Sequence, residues 1–211
     1  MKGRPSQSHA VLVPVKAFAD AKARLSTVLA PDQRKAVARW MADQVVAAAG
    51  ELPVYVACDD DEVAQWAATR GAVVLWHPGA GLNGAVSRSV AQLADQGFTG
   101  VAVAHGDLPR AHDLATLILP ETITLVPDAR RDGTNVVALP THLDYAFAYG
   151  AGSFHRHLAL AITSGLPTTV RHDPLLARDI DTPEDLLHPL VTEVLPAWLQ
   201  TNQVNPTPLA H

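Results

Sequence analysis

The chain has 211 residues, of which 48% are hydrophobic, and its 16 basic and 21 acidic side chains give a formal net charge of −5. This size fits one compact domain, and the acidic balance argues against a general nucleic-acid-binding protein. No apolar run is long enough to span a membrane, residues 1–9 lack the apolar core of a signal peptide, and a single cysteine, Cys58, excludes an internal disulfide and a multi-cysteine zinc site. We therefore expect a cytoplasmic protein that does not act at a membrane.

Apolar and amphipathic runs alternate along the chain, which predicts a single-domain α/β fold with a mostly parallel, doubly wound sheet. The predicted strands are 11–13, 52–58, 72–76, 100–105 and 122–127, with less regular candidates at 132–140 and 167–172. The predicted helices are 31–49, 59–71, 81–97, 111–119 and 152–165, and a further helix begins at Thr182 and Pro183. We expect the domain to cover residues 10–190, with a flexible or disordered N-terminus at 1–9 and a C-terminal tail at 191–211.

The loop after the first predicted strand is unusually basic for an acidic protein. Pro14 breaks the strand, and Lys16, Lys22 and Arg24 then fall within nine residues. Several long cationic side chains suit a polyphosphate, although a solvated basic loop is the simpler interpretation of the same cluster. The loop has neither the glycine pattern of a P-loop nor that of a dinucleotide-binding fold.

Further polar loops follow other strands, and in a parallel sheet such loops meet at one edge. Asn83 stands at a predicted helix start, where it either caps the helix or contacts a base through its carboxamide. Asp107, in "HGDLP", follows the central strand, where it either holds a hard cation or caps the next helix. Asp128 opens a dense polar stretch in which Asp132 and Gly133 predict a turn.

Two later segments have features of anion and metal sites. Gly150 and Ser153 lie at a helix start, where free N–H groups and a hydroxyl favour a phosphate or carboxylate, although Ser153 as a plain N-cap is an alternative. Asp179 and Asp181 occupy alternate positions of a segment interpreted as a strand, so both carboxylates should point the same way. Capping of the next helix explains Thr182 but not these two acids.

Two other clusters are weaker candidates. The acidic run at 59–62 resembles a metal-binding sequence, but we expect it to cap the following helix and to interact favourably with the helix dipole. His155 and His157 are too close in sequence to share one face of a helix, which argues against a zinc site there.

Six segments taken in order resemble the phosphoenolpyruvate / 2-phospho-L-lactate guanylyltransferase family of deazaflavin coenzyme F-420 biosynthesis. They are "VPVKAFADAKARL", "GLNGAV", "GDLP", "PDARRDGTNVVALP", "YGAGSFHRH" and "DIDTPEDL", from about residue 10 to about residue 187. "GDLP" and "DIDTPEDL" also occur in other nucleotidyltransferases, and it is "DGTN" followed by "YGAGSF" that makes the match specific. Ala151 and Leu160 depart from the family, in which a proline and an acid are common at these positions.

The resemblance implies a nucleotidyltransferase fold of the glycosyltransferase-A-like type and a role for each matching residue. The implied catalytic residues are Lys16, Lys22, Arg24 and Asp107. The implied nucleotide-binding residues are Pro14, Lys16, Asn83 and Asp128. The implied acceptor-binding residues are Thr134, Gly150 and Ser153. The implied ligands of a magnesium ion, Mg²⁺, are Asp107 together with Asp179 or Asp181.

The reaction implied by the resemblance joins GTP to phosphoenolpyruvate or 2-phospho-L-lactate and releases pyrophosphate, and of the two acceptors we favour phosphoenolpyruvate. A metal ion and the basic loop would offset the charge of two approaching anions, and an ionised phosphate needs no general base. The implied partners are GTP and a small phosphorylated three-carbon acid, without nucleic acid or membrane. A homodimer and hand-over of the labile product to the next enzyme are both left open. The alternatives are a molybdenum-cofactor-type nucleotidylyltransferase, a sugar transferase on a related sheet and a non-catalytic nucleotide-binding module.

Overall fold

The computed structural model of the chain describes residues 8–200, so the expectations for residues 1–7 and 201–211 lie outside the described range. Its strands are β1 (His9–Pro14), β2 (Val54–Cys58), β3 (Val73–Trp76), β4 (Gly100–Ala104), β5 (Ile123–Pro127), β6 (Thr134–Pro140) and β7 (Thr168–Val170). They form a seven-stranded sheet in the order β3-β2-β1-β4-β6-β5-β7. Strand β6 runs antiparallel to β4 and β5, and the other neighbouring pairs are parallel. The prediction of a mostly parallel α/β sheet is confirmed.

The strand directions bring the polar loops to one edge of the sheet. Because β6 is antiparallel to both neighbours, β5 and β7 point the same way as β1 to β4. The carboxyl ends of six strands and the amino end of β6 therefore share this edge, which we call the carboxyl edge. Ligand sites of open α/β sheets lie at this position.

The helices are α1 (Pro31–Ala47), α2 (Asp61–Thr69), α3 (Gly81–Asp95), α4 (Ser153–Thr163), α5 (Pro183–Leu186), α6 (Pro189–Thr192) and α7 (Ala197–Gln200). The Asp60 side chain caps α2 by accepting a hydrogen bond from the Val63 N–H at 3.0 Å, which confirms the capping interpretation of the acidic run. The helix predicted at 111–119 is wrong in extent, since only a 3-10 turn forms at Leu114–Leu117. Asp113 precedes this turn in a left-handed conformation with φ of 44°, which an α-helix cannot include.

Alternate residues of the strands pack against helices on the two faces of the sheet. Val11 and Val13 of β1 share a buried cluster with α1 and α2, which includes Trp66. Ala10 and Leu12 share the opposite cluster with α3 and α4. The sheet is thus the middle of three layers, and this rigid core positions the carboxyl edge.

A third buried cluster, here called the C-terminal cluster, joins distant parts of the chain beside the sheet. Its members are Leu25, Leu29, Val37, Met41, Ile180, Leu186, Val191, Leu195 and Leu199. It therefore links the basic loop and α1 to the acidic segment and the last helices, including residues that we assigned to the tail. Within residues 8–200, none of the helices combines the length and apolarity needed to cross a membrane.

Candidate active site

The ammonium group of Lys22 lies between two carboxylates at the centre of the carboxyl edge. Its Nζ is 2.7 Å from Asp107 Oδ2 and 2.8 Å from Asp181 Oδ1, and only 8% of its side chain is exposed. Burial alone would lower the pKa of Lys22, but the charges of Asp107 and Asp181 outweigh burial and raise it. Lys22 therefore remains charged and connects the basic loop to both acidic loops.

Three carboxylates converge at this point. One oxygen from each of Asp107, Asp179 and Asp181 lies within 4.8 Å of the others. Burial, with the nearby charges of Asp107 and Asp181, raises the pKa of Asp179 to about 7. Burial also opposes ionisation of Asp107, yet the charge of Lys22 holds the pKa of this carboxyl below its usual range. The three acidic groups therefore lie close together, and Lys22 contacts two of them.

The segment that holds two of these acids is not the predicted strand. Residues 171–182 lie between β7 and α5 without strand structure. This segment is instead held by single contacts, such as the Ala129 N–H, which donates to the Ala177 carbonyl at 2.9 Å. The interpretation of Asp179 and Asp181 as alternate residues of a strand is therefore wrong, although both carboxylates do converge.

The carboxylate cluster fits a hard divalent cation. Asp107 Oδ1 is buried and has no hydrogen-bond partner within the described residues, so it is available as a ligand. Closely spaced carboxylate oxygens are the donor set that hard cations prefer. Asp107, Asp179 and Asp181 are therefore the residues that would hold such an ion.

Two cavities meet at the carboxylate cluster. The first, of about 370 Å³, is bordered by Pro14, Lys16 and Lys22. The second, of about 340 Å³, lies over the start of β6 and α4. Asp107 and Asp181 line both cavities, so molecules bound in the two would approach each other at the carboxylates.

The basic loop divides between the two cavities. Lys16 and Lys22 line the first, whereas Arg24 lines the second. The Arg24 side chain is 73% exposed, and its Nη1 lies 3.9 Å from Asp181 Oδ2. Arg24 is thus exposed beside Asp181, which lines both cavities, while Lys22 is buried between two carboxylates.

Asn83 and Asp128 hold backbone segments near the cavities through side-chain hydrogen bonds. Asn83 lies inside the first turn of α3, so the capping interpretation is wrong; its Oδ1 accepts the Tyr149 N–H at 2.7 Å. Asp128 lines the second cavity, where its carboxylate accepts the N–H groups of Asp132 and Gly133, both at 2.9 Å. Both side chains stabilise loops of the carboxyl edge.

The three expected acceptor-binding residues lie together in the second cavity. Thr134, Gly150 and Ser153 all line it, and the Ser153 and Thr134 hydroxyl oxygens are 3.5 Å apart. Gly150 has φ of 119°, a conformation that favours glycine. Gly152 precedes α4 with φ of 70° and donates its N–H to Asp132 Oδ1 at 3.1 Å.

Two histidines at or beside the cavities were not among the predicted site residues. His157 is fully buried and lies 3.0 Å from Thr134 Oγ1 through its Nδ1. Its position four residues after Ser153 puts both on one face of α4, and this spacing is the signal that could have identified it. His105 lines both cavities, and its buried Nε2 has no partner in the described part of the chain.

Solved structures of other proteins share the fold of this chain. A putative nucleotide-diphospho-sugar transferase from Desulfovibrio desulfuricans G20 superposes with a TM-score of 0.74 at 15% identity, covering 93% of this chain and 96% of that chain. A nucleotidyl transferase from Methanothermobacter thermautotroptrophicus gives a TM-score of 0.61 at 16% identity, covering 85% and 94%. The fold is therefore that of nucleotidyltransferases, as expected.

Comparisons of sequence are more specific. A protein of Sphaerobacter thermophilus named phosphoenolpyruvate guanylyltransferase is 38% identical over 184 residues, which cover 83% of this chain and 89% of that protein. A protein of the same name from Rubrobacter xylanophilus is 34% identical over 184 residues, covering 83% and 90%. The family model described as guanylyl transferase CofC like matches residues 9–192. The chain therefore belongs to the CofC-like guanylyl transferase family.

Proposed function

We propose that this protein transfers a guanylyl group from GTP to phosphoenolpyruvate and releases pyrophosphate. The observation that carries the proposal is the meeting of two cavities at one carboxylate cluster, with Lys22 bound between Asp107 and Asp181. Similarity to proteins named phosphoenolpyruvate guanylyltransferase supports the choice of substrates. The product would be a labile intermediate for deazaflavin coenzyme F-420, made in the cytoplasm, where both substrates occur.

In the proposed reaction GTP occupies the first cavity. Pro14 and Lys16 line this cavity, so they would contact the nucleotide. Lys22 and Arg24 would offset the charge that develops on the leaving pyrophosphate. Asn83 and Asp128 would keep the surrounding loops in place through the backbone hydrogen bonds described above.

Asp107, with Asp179 and Asp181, would hold the metal ion, which we propose to be Mg²⁺. When bound, such an ion withdraws negative charge from phosphate oxygens. The sheet contributes rigidity here, since Asp107 lies in the loop that follows the buried strand β4. Lys22 already offsets the charge of two of these carboxylates and so permits their close approach.

The acceptor would occupy the second cavity. Thr134, Gly150 and Ser153 line this cavity, and two hydroxyls and a backbone N–H can together bind a small anion. A phosphate oxygen of phosphoenolpyruvate would bond to the α-phosphorus of GTP while the bond from that phosphorus to the bridging oxygen breaks. The electron pair leaves with pyrophosphate, and no proton needs to be removed because the attacking phosphate is already ionised.

A matrix of donors and acceptors tests the proposal. GTP, ATP, CTP and UTP are each offered with phosphoenolpyruvate or 2-phospho-L-lactate in the presence of Mg²⁺, and products are identified by mass and by released pyrophosphate. We expect GTP with phosphoenolpyruvate to give the highest kcat/KM. Higher activity with CTP would point to the molybdenum-cofactor type of enzyme, and no pyrophosphate from any pair would point to a non-catalytic module.

A further inference from the structure

We propose that His157 is a positioning residue that makes the Thr134 hydroxyl a hydrogen-bond donor to the anion in the second cavity. The identification of that anion as phosphoenolpyruvate rests on the proposed function. His157 itself does not line the cavity described above, so it would act through Thr134. The inference follows from the contacts of its two ring nitrogens.

His157 connects three parts of the acceptor site. It lies on α4, its Nδ1 is 3.0 Å from Thr134 Oγ1 at the start of β6, and its Nε2 is 2.9 Å from the Ala148 N of the loop before α4. The His157 carbonyl also accepts a hydrogen bond from the Tyr145 hydroxyl at 2.8 Å. The ring therefore fixes the distance between the two segments that border the cavity.

The backbone contact defines which nitrogen has the proton. A backbone N–H can only donate, so His157 Nε2 must accept the hydrogen bond from Ala148. In a neutral ring the proton then resides on Nδ1, which donates to Thr134 Oγ1. A doubly protonated ring would place two donors against each other at Ala148, and burial also lowers the pKa of His157 to about 4.

The protonated Nδ1 in turn orients the hydroxyl of Thr134. Because Thr134 Oγ1 accepts from His157, its own proton is available to another acceptor. The Ser153 hydroxyl is at the limit of hydrogen bonding, at 3.5 Å, so it does not compete strongly. Thr134 lines the second cavity, and the donor it presents there matches an anion, which can only accept.

The surroundings hold the ring in this orientation. Tyr149 packs edge-on against His157 with ring centroids 4.8 Å apart, and Tyr145 and Phe147 also contact it, at 5.9 Å and 6.4 Å. The residue is 0% exposed. A flip of the ring would put carbon atoms in the places of the two nitrogens and break both hydrogen bonds.

Three substitutions separate orientation of Thr134 from simple packing. In His157→Asn the amide nitrogen takes the place of Nδ1 and can still donate to Thr134. In His157→Gln the amide oxygen takes the place of Nε2, so the bond from Ala148 is kept and the donor to Thr134 is lost. His157→Phe removes both. We expect the KM for phosphoenolpyruvate to rise roughly tenfold or more in His157→Gln and His157→Phe, which corresponds to the loss of about one hydrogen bond. In His157→Asn this KM should change less than about threefold.

The KM for GTP and the kcat should stay within about twofold for all three variants, because the contact is made to the bound acceptor. His155→Asn is the matched control, since His155 is exposed on the same helix. Equal KM increases for Asn, Gln and Phe would show that His157 only packs the loop and would overturn the inference. Unchanged KM values for Gln and Phe would overturn it as well.

A spectroscopic measurement tests the inference without catalysis. Long-range ¹H–¹⁵N spectra of protein labelled at histidine should show a neutral His157 ring protonated at Nδ1 at pH 7, with its resonances assigned by their loss in His157→Phe. A ring protonated at Nε2 would contradict the inference. If the wild-type protein uses no acceptor at all, the proposed function fails. In that event two measurements still decide the role of His157. They are the spectrum and the affinity of the wild type and the three variants for phosphoenolpyruvate, measured by calorimetry.

Discussion

Lys22 supplies positive charge at the point where three acidic side chains lie close together. Its ammonium group bonds to Asp107 and Asp181, which are also proposed metal ligands. An ammonium group and a divalent cation would therefore compete for the same oxygens. Besides the role that we propose for it at the phosphates, we therefore expect the basic loop to set how strongly the free protein binds metal.

Lys22→Met tests this competition. Without the ammonium group, repulsion among the carboxylates should lower the melting temperature of the metal-free protein by a few degrees. Addition of Mn²⁺ or Mg²⁺ should then raise the melting temperature by more than it does in the wild type, because no ammonium must be displaced. Lys35→Met is the control, since Lys35 forms only an exposed pair with Glu62 at 2.8 Å. An equal metal-induced shift in wild type and Lys22→Met would refute the competition.

Asp107→Asn should abolish most turnover while leaving the fold intact. The amide keeps the size of the side chain but loses the charge that binds metal, which should cost a few kcal/mol in the transition state, or roughly a hundredfold or more in kcat. Steady-state pyrophosphate release measures the rate, and a thermal melt checks folding. Asp95→Asn is the control because Asp95 is exposed at the end of α3. Near-normal turnover by a folded Asp107→Asn protein would remove Asp107 from the catalytic site.

The low pKa of His157 predicts a loss of stability in acid. Burial, with the neighbouring charges of His105 and Arg156, lowers this pKa from 6.5 to about 4. The stabilisation is therefore complete above pH 6.5. It is lost as the pH falls toward 4, because the unfolded chain binds a proton that the folded ring does not. Urea unfolding at pH 7 and 4.5 should show that the wild type loses about 2–3 kcal/mol more than His157→Asn. Identical losses would show that the ring titrates normally.

The sequence predicted charged residues that the structure brings together, but not the residues that position them. Asp107 and the cations of the basic loop lie in short loops after strands, where local sequence reveals both residue type and location. Asn83 contacts Tyr149, 66 residues away, and His157 contacts Thr134, 23 residues away. Such partners depend on how α3, α4 and β6 pack, which no local pattern contains.

At the scale of elements, hydrophobic periodicity predicted the parallel strands and the long helices well, because their burial is regular. It failed where single backbone conformations decide the outcome, as at Asp113, which reduces the expected helix to a 3-10 turn. It also could not give the direction of β6, since an apolar run is the same read in either direction. That direction matters because it brings Thr134 to the carboxyl edge.

Gly150→Ala tests how the loop before α4 forms the acceptor site. An added Cβ would meet only Arg156 Nη2, at 3.8 Å, so the cost arises from the backbone, whose φ is 119°. We expect a loss of about 1–3 kcal/mol in unfolding free energy and a several-fold higher KM for the acceptor, with the KM for GTP unchanged. Gly165→Ala is the matched control, because Gly165 has φ of 79° at the other end of α4 with open space around it. A similar acceptor KM in both variants would show that the conformation of the loop at Gly150 does not affect acceptor binding.

At the scale of the whole molecule, the C-terminal cluster connects the two charged loops that meet at Lys22. Leu25 lies on the basic loop and Ile180 lies between Asp179 and Asp181, and both pack with Leu195 in this cluster. The distance from Lys22 to Asp181 therefore depends on apolar packing outside the cavities. The cluster includes the last described helices, so residues assigned to a tail contribute to the geometry of the site.

Leu195→Ala should affect the site more than an equally buried substitution elsewhere. Leu195 is 4% exposed in the C-terminal cluster, and Leu93 is 0% exposed against the opposite face of the sheet. Each Leu→Ala change should cost about 2–5 kcal/mol of unfolding free energy. Only Leu195→Ala should also lower kcat and weaken the metal-induced rise in melting temperature, because its cluster contains residues of both the basic loop and the acidic segment, whereas the cluster of Leu93 contains neither. Both assays are run at a temperature where thermal melts show that both variants are folded. Equal kcat values in the two variants would mean that the charged contacts of Lys22 are sufficient to position the basic loop relative to the acidic segment.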